Sequence, residues 1–307
     1  MGIHQWPARL AALIAAALLL AVAAGVCEEA PLYIENEWNY VDNSMDVSNG
    51  IPEGAGGRLA RIRAAGRLTV ATEPYFPPQE FIDESRTGQE RFVGSDMEMA
   101  RLIAERMGVE LEIVPMAFSE VLTSVAEGRY DLAISALSFT PGRAAAMEMS
   151  KGYYYTSEAA SSGLLIRESD AGDIRSLEDL ADRDIAAMSG SLQESMAAES
   201  IPNYRQFRRL DSDVDVYEAV MTGKADAGIV DLENAQAYIR RRAGCGLTIV
   251  PDTYFTLQPQ FQGDRVAARK GEIELICFVN GVIDELLESG QYDRWFEEYA
   301  RFDAGQD

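Results

Sequence analysis

The sequence predicts an α/β fold, in which helices cover mostly parallel sheets. From Gly66 onward, short apolar runs of the β type alternate with amphipathic helical runs, and several helical runs end at a glycine. With 307 residues, 47% of them hydrophobic, the chain is long and apolar enough to bury one large core or two smaller ones.

Short runs rich in apolar and β-branched residues are the predicted strands, since buried parallel strands lack a polar face. They are Leu68 to Thr72, Leu111 to Val114, Asp131 to Ser135, Ile185 to Met188, Ala227 to Val230 and Leu247 to Val250.

Helical periodicity predicts the segments between the strands. Met97 to Met107 carries an apolar stripe, and Ser95 with Glu98 has the spacing of a capping box at its start. Ser119 to Glu127 is followed by Gly128, and Val214 to Thr222 by Gly223, where helices favour a left-handed glycine. Glu272 to Phe302 is predicted to form two helices that Ser289-Gly290 separates.

The N-terminus indicates export. Arg9 precedes an apolar run from Leu10 to Ala24, too short for a typical bilayer span, so residues 1–26 are predicted to be a signal peptide. Two cleavage sites fit. Ala21-Val22-Ala23 suits an ordinary signal peptidase, whereas Ala24-Gly25-Val26-Cys27 is similar to a bacterial lipobox that would leave Cys27 lipidated.

Residues 27–65 are predicted to be an acidic tether. From Glu28 to Gly57 there is no lysine or arginine, and such a composition buries too little apolar surface to order itself. An aromatic and aliphatic cluster interrupts this segment and either remains loosely ordered or docks on the domain or a partner. Its members are Leu32, Tyr33, Ile34, Trp38, Tyr40 and Val41.

A formal net charge of −23 repels nucleic acid and anionic lipid surfaces and argues against a partner with a phosphate backbone, although an acidic surface that keeps an exported protein soluble explains most of that charge. His4, the only histidine, lies in the predicted signal peptide, so histidine-based triads and zinc sites are excluded from the mature chain. No metal or cofactor is expected. Cys245 and Cys277 fit either a disulfide or two buried thiols.

Polar residues that follow the predicted strands are the candidate site, because ligands of open α/β sheets bind beyond the carboxyl ends of the strands. Glu73 follows the first strand, and Asp231 follows the fifth. The other candidates are Ser135, Ser138, Thr140 and Arg143 after the third strand and Ser191 after the fourth.

The order of several motifs resembles the extracellular solute-binding proteins, family 3, which serve amino-acid importers. The motifs are Gly94-Ser95-Asp96-Met97-Glu98-Met99, Gly128-Arg129-Tyr130-Asp131 with Ser135-Ala136-Leu137-Ser138-Phe139-Thr140-Pro141-Gly142-Arg143, Gly223-Lys224-Ala225-Asp226-Ala227, and Gly290-Gln291-Tyr292-Asp293-Arg294-Trp295. They span about Gly66 to Phe302. Ser95 departs from the family signature.

The resemblance implies a clamp for a zwitterion. Arg143 would bind the ligand's α-carboxylate, with backbone N–H groups near Ser138 and Ser191, and Asp231 would bind the α-ammonium. Phe76 and Phe118 match positions that sandwich the ligand's side chain. Each residue has an ordinary alternative: a helix-start arginine, an N-cap at Asp231, self-satisfied hydroxyls at Ser135 and Ser138, and core aromatics.

Glu73 matches the position where receptors for basic amino acids place an acid, which favours a polar or basic ligand. Leu192 stands where many relatives carry a threonine, and Gln79 replaces an aromatic residue after Pro77-Pro78, so the particular amino acid stays open.

The resemblance also implies a two-lobed fold of the periplasmic-binding-protein type (type II). Lobe one is predicted over 66–157 and 264–307, and lobe two over 158–263, with hinges near Glu158 to Ser162 and Leu257 to Gly263. The expected protein is a monomer outside the cytoplasm that hands an amino acid to ABC permease subunits.

Two rival functions stay open. Cyclohexadienyl dehydratases resemble these receptors, and Glu73 would then act as a general acid. A sensor that reports its ligand to a separate membrane protein is the other. We expect a receptor that is not an enzyme.

Overall fold

The computed structural model describes residues 57–155, 160–201, 203–256 and 262–304. The predicted signal peptide, Cys27, the aromatic cluster and the tether up to residue 56 lie outside the described residues. Parts of both predicted hinges also lie outside them, namely residues 158 and 159 and residues 257–261. No helix in the described ranges is long and apolar enough to cross a bilayer.

The first part of the chain forms four helices and seven strands. They are α1 (Arg58–Ala65), β1 (Arg67–Thr72), β2 (Tyr75–Phe76), β3 (Glu80–Ile82), β4 (Phe92–Val93), α2 (Ser95–Met107), β5 (Glu110–Pro115), α3 (Phe118–Ala126), β6 (Leu132–Ser138), α4 (Pro141–Ala146) and β7 (Met147–Met149).

The middle part forms five strands and three helices. They are β8 (Ala160–Arg167), β9 (Asp184–Met188), α5 (Leu192–Ser200), β10 (Gln206–Leu210), α6 (Asp213–Met221), β11 (Ala227–Asp231), α7 (Leu232–Arg241) and β12 (Leu247–Thr256).

The last part returns to the first sheet with β13 (Asp264–Arg269), which precedes α8 (Ile273–Ser289) and α9 (Gln291–Ala304). Gly290 separates the two helices with a φ of 62°, in the left-handed region that glycine adopts without strain. The predicted break at Ser289-Gly290 is therefore confirmed.

The first sheet has the strand order β5-β1-β6-β13-β7. Strands β5, β1 and β6 are parallel, whereas β13 runs antiparallel to both β6 and β7. Alternate residues of β1 face opposite sides of the sheet. Leu68 and Val70 pack among residues of α2 and α8, and Ala71 packs with residues of α3. We call the unit built on this sheet lobe one.

The second sheet has the order β10-β9-β11-β8-β12. Strands β10, β9 and β11 are parallel, and β8 is antiparallel to both β11 and β12. One face packs on α5 through Ile185 and Ala187, and the other packs on α6 and α7 through Ala186. We call this unit lobe two. Each sheet is thus mixed, with a parallel three-stranded part.

Helix α1 lies within the segment that the sequence analysis assigned to the tether. Its Leu59 and Ile62 are buried in the core of lobe one, and the Arg58 side chain is paired with Asp131. The tether prediction is therefore wrong for residues 58–65. The predicted tether extends to residue 65 because of the acidic composition before Gly57, although residues 58–65 form a short helix with its own apolar stripe.

The capping box predicted at Ser95 is wrong. The N-cap of α2 is Gly94, without a side-chain cap, and the Ser95 hydroxyl lies 3.1 Å from the Tyr292 hydroxyl. Gly94 has a φ of 121°, and a Cβ atom there would lie 2.2 Å from the backbone oxygen of Gln79. The predicted glycines after α3 and α6, Gly128 and Gly223, do adopt left-handed backbone.

Cys245 and Cys277 are both free thiols, so the alternative without a disulfide is the one that the structure supports. Cys277 lies in α8 of lobe one, whereas Cys245 lies just before β12 of lobe two.

Candidate functional site

A cleft of about 90 Å³ lies between the two lobes, next to the carboxyl ends of β1 and β6 in lobe one and of β9 and β11 in lobe two. Most of the sequence-predicted site residues line it: Glu73, Phe76, Phe118, Ser135, Ser138, Arg143, Ser191, Leu192 and Asp231. Residues at or after the carboxyl ends of parallel strands in both sheets therefore lie together at the cleft.

Thr140 is the predicted residue that does not line the cleft. It is the N-cap of α4, and its hydroxyl oxygen accepts a hydrogen bond of 3.1 Å from the backbone N–H of Arg143. Pro141 follows at the first helical position, where its missing N–H costs nothing. Thr140 thus acts on the cleft by holding the helix that carries Arg143.

The Arg143 guanidinium is buried and reaches both lobes. Its N–H groups donate to the Ser138 carbonyl oxygen at 2.7 Å and to the Gly190 carbonyl oxygen at 3.0 Å. Its central carbon lies 5.3 Å from the centre of the Phe118 ring, within cation–π range. Within the described residues, Arg143 forms no ion pair.

Burial lowers the pKa of Arg143 to about 10, an effect that the Asp264 carboxylate opposes. The guanidinium is still charged at neutral pH. A guanidinium has five N–H donors, so the two bonds to carbonyl oxygens leave donors that can bind an anion in the cleft.

Ser191 starts α5 at the edge of the cleft. Its hydroxyl oxygen accepts from the backbone N–H of Glu194 at 3.0 Å, and the Glu194 carboxylate accepts from the N–H of Gly190 at 2.7 Å. The Ser191 side chain therefore caps the helix, while Leu192 and Gln193 in its first turn line the cleft.

Asp231 ends β11 and begins α7. Its carboxylate accepts from the backbone N–H of Asn234 at 3.0 Å, so the N-cap that the sequence left open is present. Asp231 also lines the cleft, and the two roles do not exclude each other because a carboxylate has several lone pairs. Burial is the main cause that raises the pKa of Asp231 to about 6.

Glu73 is 3% exposed, and its Oε1 has no hydrogen-bond partner in the described protein. Burial, followed by the charge of Asp213, raises its pKa to about 8. The Ser135 hydroxyl joins it to a second acid: it accepts from the Glu73 backbone N–H at 3.0 Å and donates to Glu80 at 3.1 Å.

Glu80 and Asp264 are acids of the cleft that the sequence analysis missed. Asp264 accepts from the side-chain amide of Gln79 at 2.9 Å, and burial raises its pKa to about 7. Burial and the neighbouring Asp96 raise the pKa of Glu80 well above its ordinary value. Gln79 therefore orients an acid of the cleft.

Asp96 lies behind Glu80 and is held by hydroxyl groups of lobe one. Tyr292 donates to it at 2.6 Å and Tyr153 at 2.7 Å, and the backbone N–H of Ala136 donates at 3.1 Å. Most of the charged residues that line the cleft are acids. Among the described residues that line it, Arg143 is the one cation, and none is a lysine. The composition of the cleft fits a ligand with more positive than negative charge.

Aromatic rings form part of the wall. Phe118 lines the cleft and is also buried in the core of lobe one, so its place in the core does not exclude contact with a ligand. Phe76 lies in β2 and also lines the cleft. Tyr154, another residue that sequence reasoning missed, stacks on Phe296 with ring centres 4.4 Å apart.

Two mixed sheets, each covered by helices and separated by a charged cleft, define a two-lobed binding protein. Residues 68–302 match the pattern of the bacterial extracellular solute-binding proteins, family 3, and the chain belongs to that family. The expected fold class is confirmed.

Similar proteins include receptors for amino acids. The arginine-binding extracellular protein ArtP of Bacillus subtilis is 25% identical over 236 residues, which cover 75% of this chain and 86% of that protein. The structure of the amino acid ABC transporter substrate-binding protein AbpA of Streptococcus pneumoniae bound to L-arginine is 32% identical, with a TM-score of 0.68 and coverage of 79% of this chain and 98% of that one.

An enzyme is also among the similar proteins. The cyclohexadienyl dehydratase of Pseudomonas aeruginosa is 26% identical over 187 residues, which cover 60% of this chain and 66% of the enzyme. The shared segment is shorter than the one shared with the arginine-binding protein.

The acids of the cleft predict how stability depends on pH without a ligand. Burial raises the pKa values of Glu73, Asp231 and Asp264, so the folded protein holds protons on them that the unfolded chain has released above about pH 5. Their contribution to the free energy of unfolding therefore falls as pH rises, and we expect the Tm to fall between about pH 5 and pH 8.

Scanning calorimetry at constant ionic strength measures this slope. Glu73→Gln should flatten it, whereas the control Glu218→Gln removes an exposed charge and should change it less. A Tm that rises over this interval in the wild type would contradict the assignment.

Proposed function

We propose that the protein is the extracytoplasmic substrate-binding protein of an ABC importer and that it captures a polar, basic amino acid between its lobes. The observation that supports this most is that Arg143 of lobe one and Asp231 of lobe two line the same cleft. An α-amino acid carries both charges, and removing each from water costs several kcal/mol unless it gains an ionic partner.

The proposed clamp assigns one end of the ligand to each lobe. Arg143 binds the α-carboxylate, and Asp231 binds the α-ammonium, so both charges are satisfied only when the lobes close. Glu73, Phe76, Phe118, Ser135, Ser138 and Leu192 surround the rest of the ligand, and Ser191 and Thr140 hold the helices around it. The permease subunits would then recognise the closed form, whose population the ligand raises.

The proposed location is the outer face of the cell membrane. The family is extracellular by its description. A lipid on Cys27 would tether a monomeric receptor near its permease, and mass spectrometry of the mature N-terminus would distinguish a lipidated cysteine from cleavage after Ala23.

A thermal-shift screen of the twenty amino acids, ornithine and small carboxylic acids tests the proposal. A ligand that binds only the folded state stabilises it by about 2.7 kcal/mol at a concentration of 100 times its Kd. We expect arginine, ornithine or lysine to raise the Tm most. If no amino acid raises the Tm, the proposed function is wrong.

The rival function is a dehydratase. Glu73 favours it, since a carboxyl group with a pKa of about 8 is a proton donor at neutral pH. Turnover of prephenate or arogenate would support the enzyme, and stable binding without turnover supports the receptor. A sensor function would instead require a separate signalling partner.

A further inference from the structure

We propose that Asp213 of lobe two opposes Glu73 of lobe one, and that the two carboxylates together hold a positively charged group at the end of the ligand's side chain. This inference rests on the proposed function, because it names the ligand class of the same cleft as basic amino acids and adds a residue to the site.

The fold brings the two acids together from different lobes. Asp213 is the first residue of α6, and α6 packs against β2 of lobe one. Strand β2 begins at Tyr75, two residues after Glu73. Both acids are nearly inaccessible, since Glu73 is 3% exposed and Asp213 is 5% exposed.

The Asp213 side chain is not used to hold its own helix. The N-cap of α6 is Ser212, whose hydroxyl oxygen accepts from the backbone N–H of Asp215 at 3.1 Å. Within the described residues, the Asp213 carboxylate has neither a hydrogen-bond donor nor an ion-pair partner. A buried carboxylate without a protein partner is costly, and a cationic group of a ligand beside it would offset that cost.

Other polar atoms in the same region also lack a protein partner. Glu73 Oε1, which lines the cleft, has none, and neither has the hydroxyl group of Tyr217, one helical turn after Asp213. Tyr217 is itself buried, and the charges that act on it are those of Asp213, Asp231, Arg241 and Glu73. Donors and acceptors from two lobes therefore converge on one buried region.

The charges around the two acids are negative. Asp231 acts on Asp213, and Asp213 and Asp215 act on Glu73. Burial is the main cause that raises both pKa values; with the charge of Asp231 it raises that of Asp213 to about 7, and with the charge of Asp213 it raises that of Glu73 to about 8. A cation between the carboxylates turns this repulsion into attraction, whereas a neutral group of the same shape leaves it in place.

The arrangement suits a basic amino acid along its whole length. With its carboxylate on Arg143 and its ammonium on Asp231, the ligand's side chain extends toward the remaining acids. A guanidinium offers five N–H donors in a planar fork, enough to bridge a carboxylate from each lobe. Asp213 would then discriminate between cationic and neutral side chains and couple that choice to closure of the lobes.

Calorimetry with L-arginine and its neutral isostere L-citrulline tests this inference. The proteins are the wild type, Asp213→Asn, Glu73→Gln and the control Glu218→Gln, which removes an exposed charge from the same helix. We expect the wild type to bind arginine more tightly than citrulline. Asp213→Asn should reduce that ratio by about 10- to 100-fold, mainly by weakening arginine, and the control should preserve it.

Several outcomes overturn the inference. An unchanged ratio in Asp213→Asn would leave Glu73 to act alone, and equal losses for both ligands would make Asp213 structural. If the wild type binds citrulline as tightly as arginine, the inference is wrong whatever the variants show. If Asp213→Asn does not fold, Asp213→Ser replaces it in the comparison. If the wild type binds other amino acids but not arginine, only this inference fails; if it binds none, the proposed function fails too.

Discussion

Replacing Arg143 with alanine is expected to weaken amino-acid binding by about 2 to 5 kcal/mol, the range for truncating one partner of a desolvated charge pair. The guanidinium is buried, stacked near Phe118 and without a carboxylate partner in the described protein. Its loss would leave the ligand's carboxylate buried without a counter-charge. It would also remove the hydrogen bond to the Gly190 carbonyl oxygen that joins the lobes.

Titration calorimetry with the amino acid that ranks highest in the screen measures the loss. Arg143→Lys keeps the charge but loses the planar fork, so its affinity should be intermediate. Arg129→Ala is the control, because Arg129 is a surface arginine that pairs with Glu127. Equal affinity in the wild type and Arg143→Ala would remove the arginine from the site.

Replacing Asp231 with asparagine is expected to weaken binding by about 2 to 4 kcal/mol while leaving the fold intact. Asparagine is as good an N-cap as aspartate, so the cap of α7 is retained and only the charge is lost. The α-ammonium would then be buried against a neutral amide. Without ligand, the Tm of Asp231→Asn should match or exceed that of the wild type.

Asp231→Ala separates the two roles of this residue. It loses the charge and the cap, so we expect the same weakening of binding together with a stability loss of about 0.5 to 2 kcal/mol. Calorimetry and thermal melts of both variants give the two quantities. If Asp231→Asn binds the amino acid as tightly as the wild type, Asp231 is only a cap.

Four of the six strands that the sequence predicts, β1, β6, β9 and β11, are interior strands with buried apolar runs. The other two, β5 and β12, lie at sheet edges. The sequence did not predict β10, which lies at the edge of its sheet, because Gln206, Arg208 and Arg209 interrupt its apolar pattern. The strands β2 and β4, two residues each, are too short for any periodicity.

Local sequence patterns gave a wrong prediction where a side chain makes a tertiary contact instead of a local one. Ser95 has the spacing of a capping box, yet its hydroxyl lies next to Tyr292, which is almost two hundred residues away in the sequence. The same Tyr292 donates to Asp96. Such contacts depend on the return of the C-terminal helices to lobe one, which no short window of sequence contains.

The candidate site was predictable where it follows parallel strands. Arg143, Glu73 and Ser191 come after three such strands, Asp231 ends a fourth, and the fold brings them to one cleft. Asp264 begins an antiparallel strand instead, so a search for polar residues after parallel strands does not find it.

Glu80 reaches the cleft from another kind of position, since it begins the short strand β3. It was missed because its place in the cleft depends on packing within lobe one. Asp213, the residue proposed above to oppose Glu73, begins a helix and is not among the residues that line the cleft. Its approach to lobe one depends on the contact of α6 with β2, which no short window of sequence contains.

A crystal structure of the protein with the amino acid that ranks highest in the screen would show whether the two lobes share the charged ends of the ligand. We expect the ligand's carboxylate within about 3 Å of the Arg143 guanidinium and its ammonium within about 3 Å of the Asp231 carboxylate, one from each lobe. A ligand that lies outside the cleft, or whose charged ends contact neither side chain, would contradict this expectation.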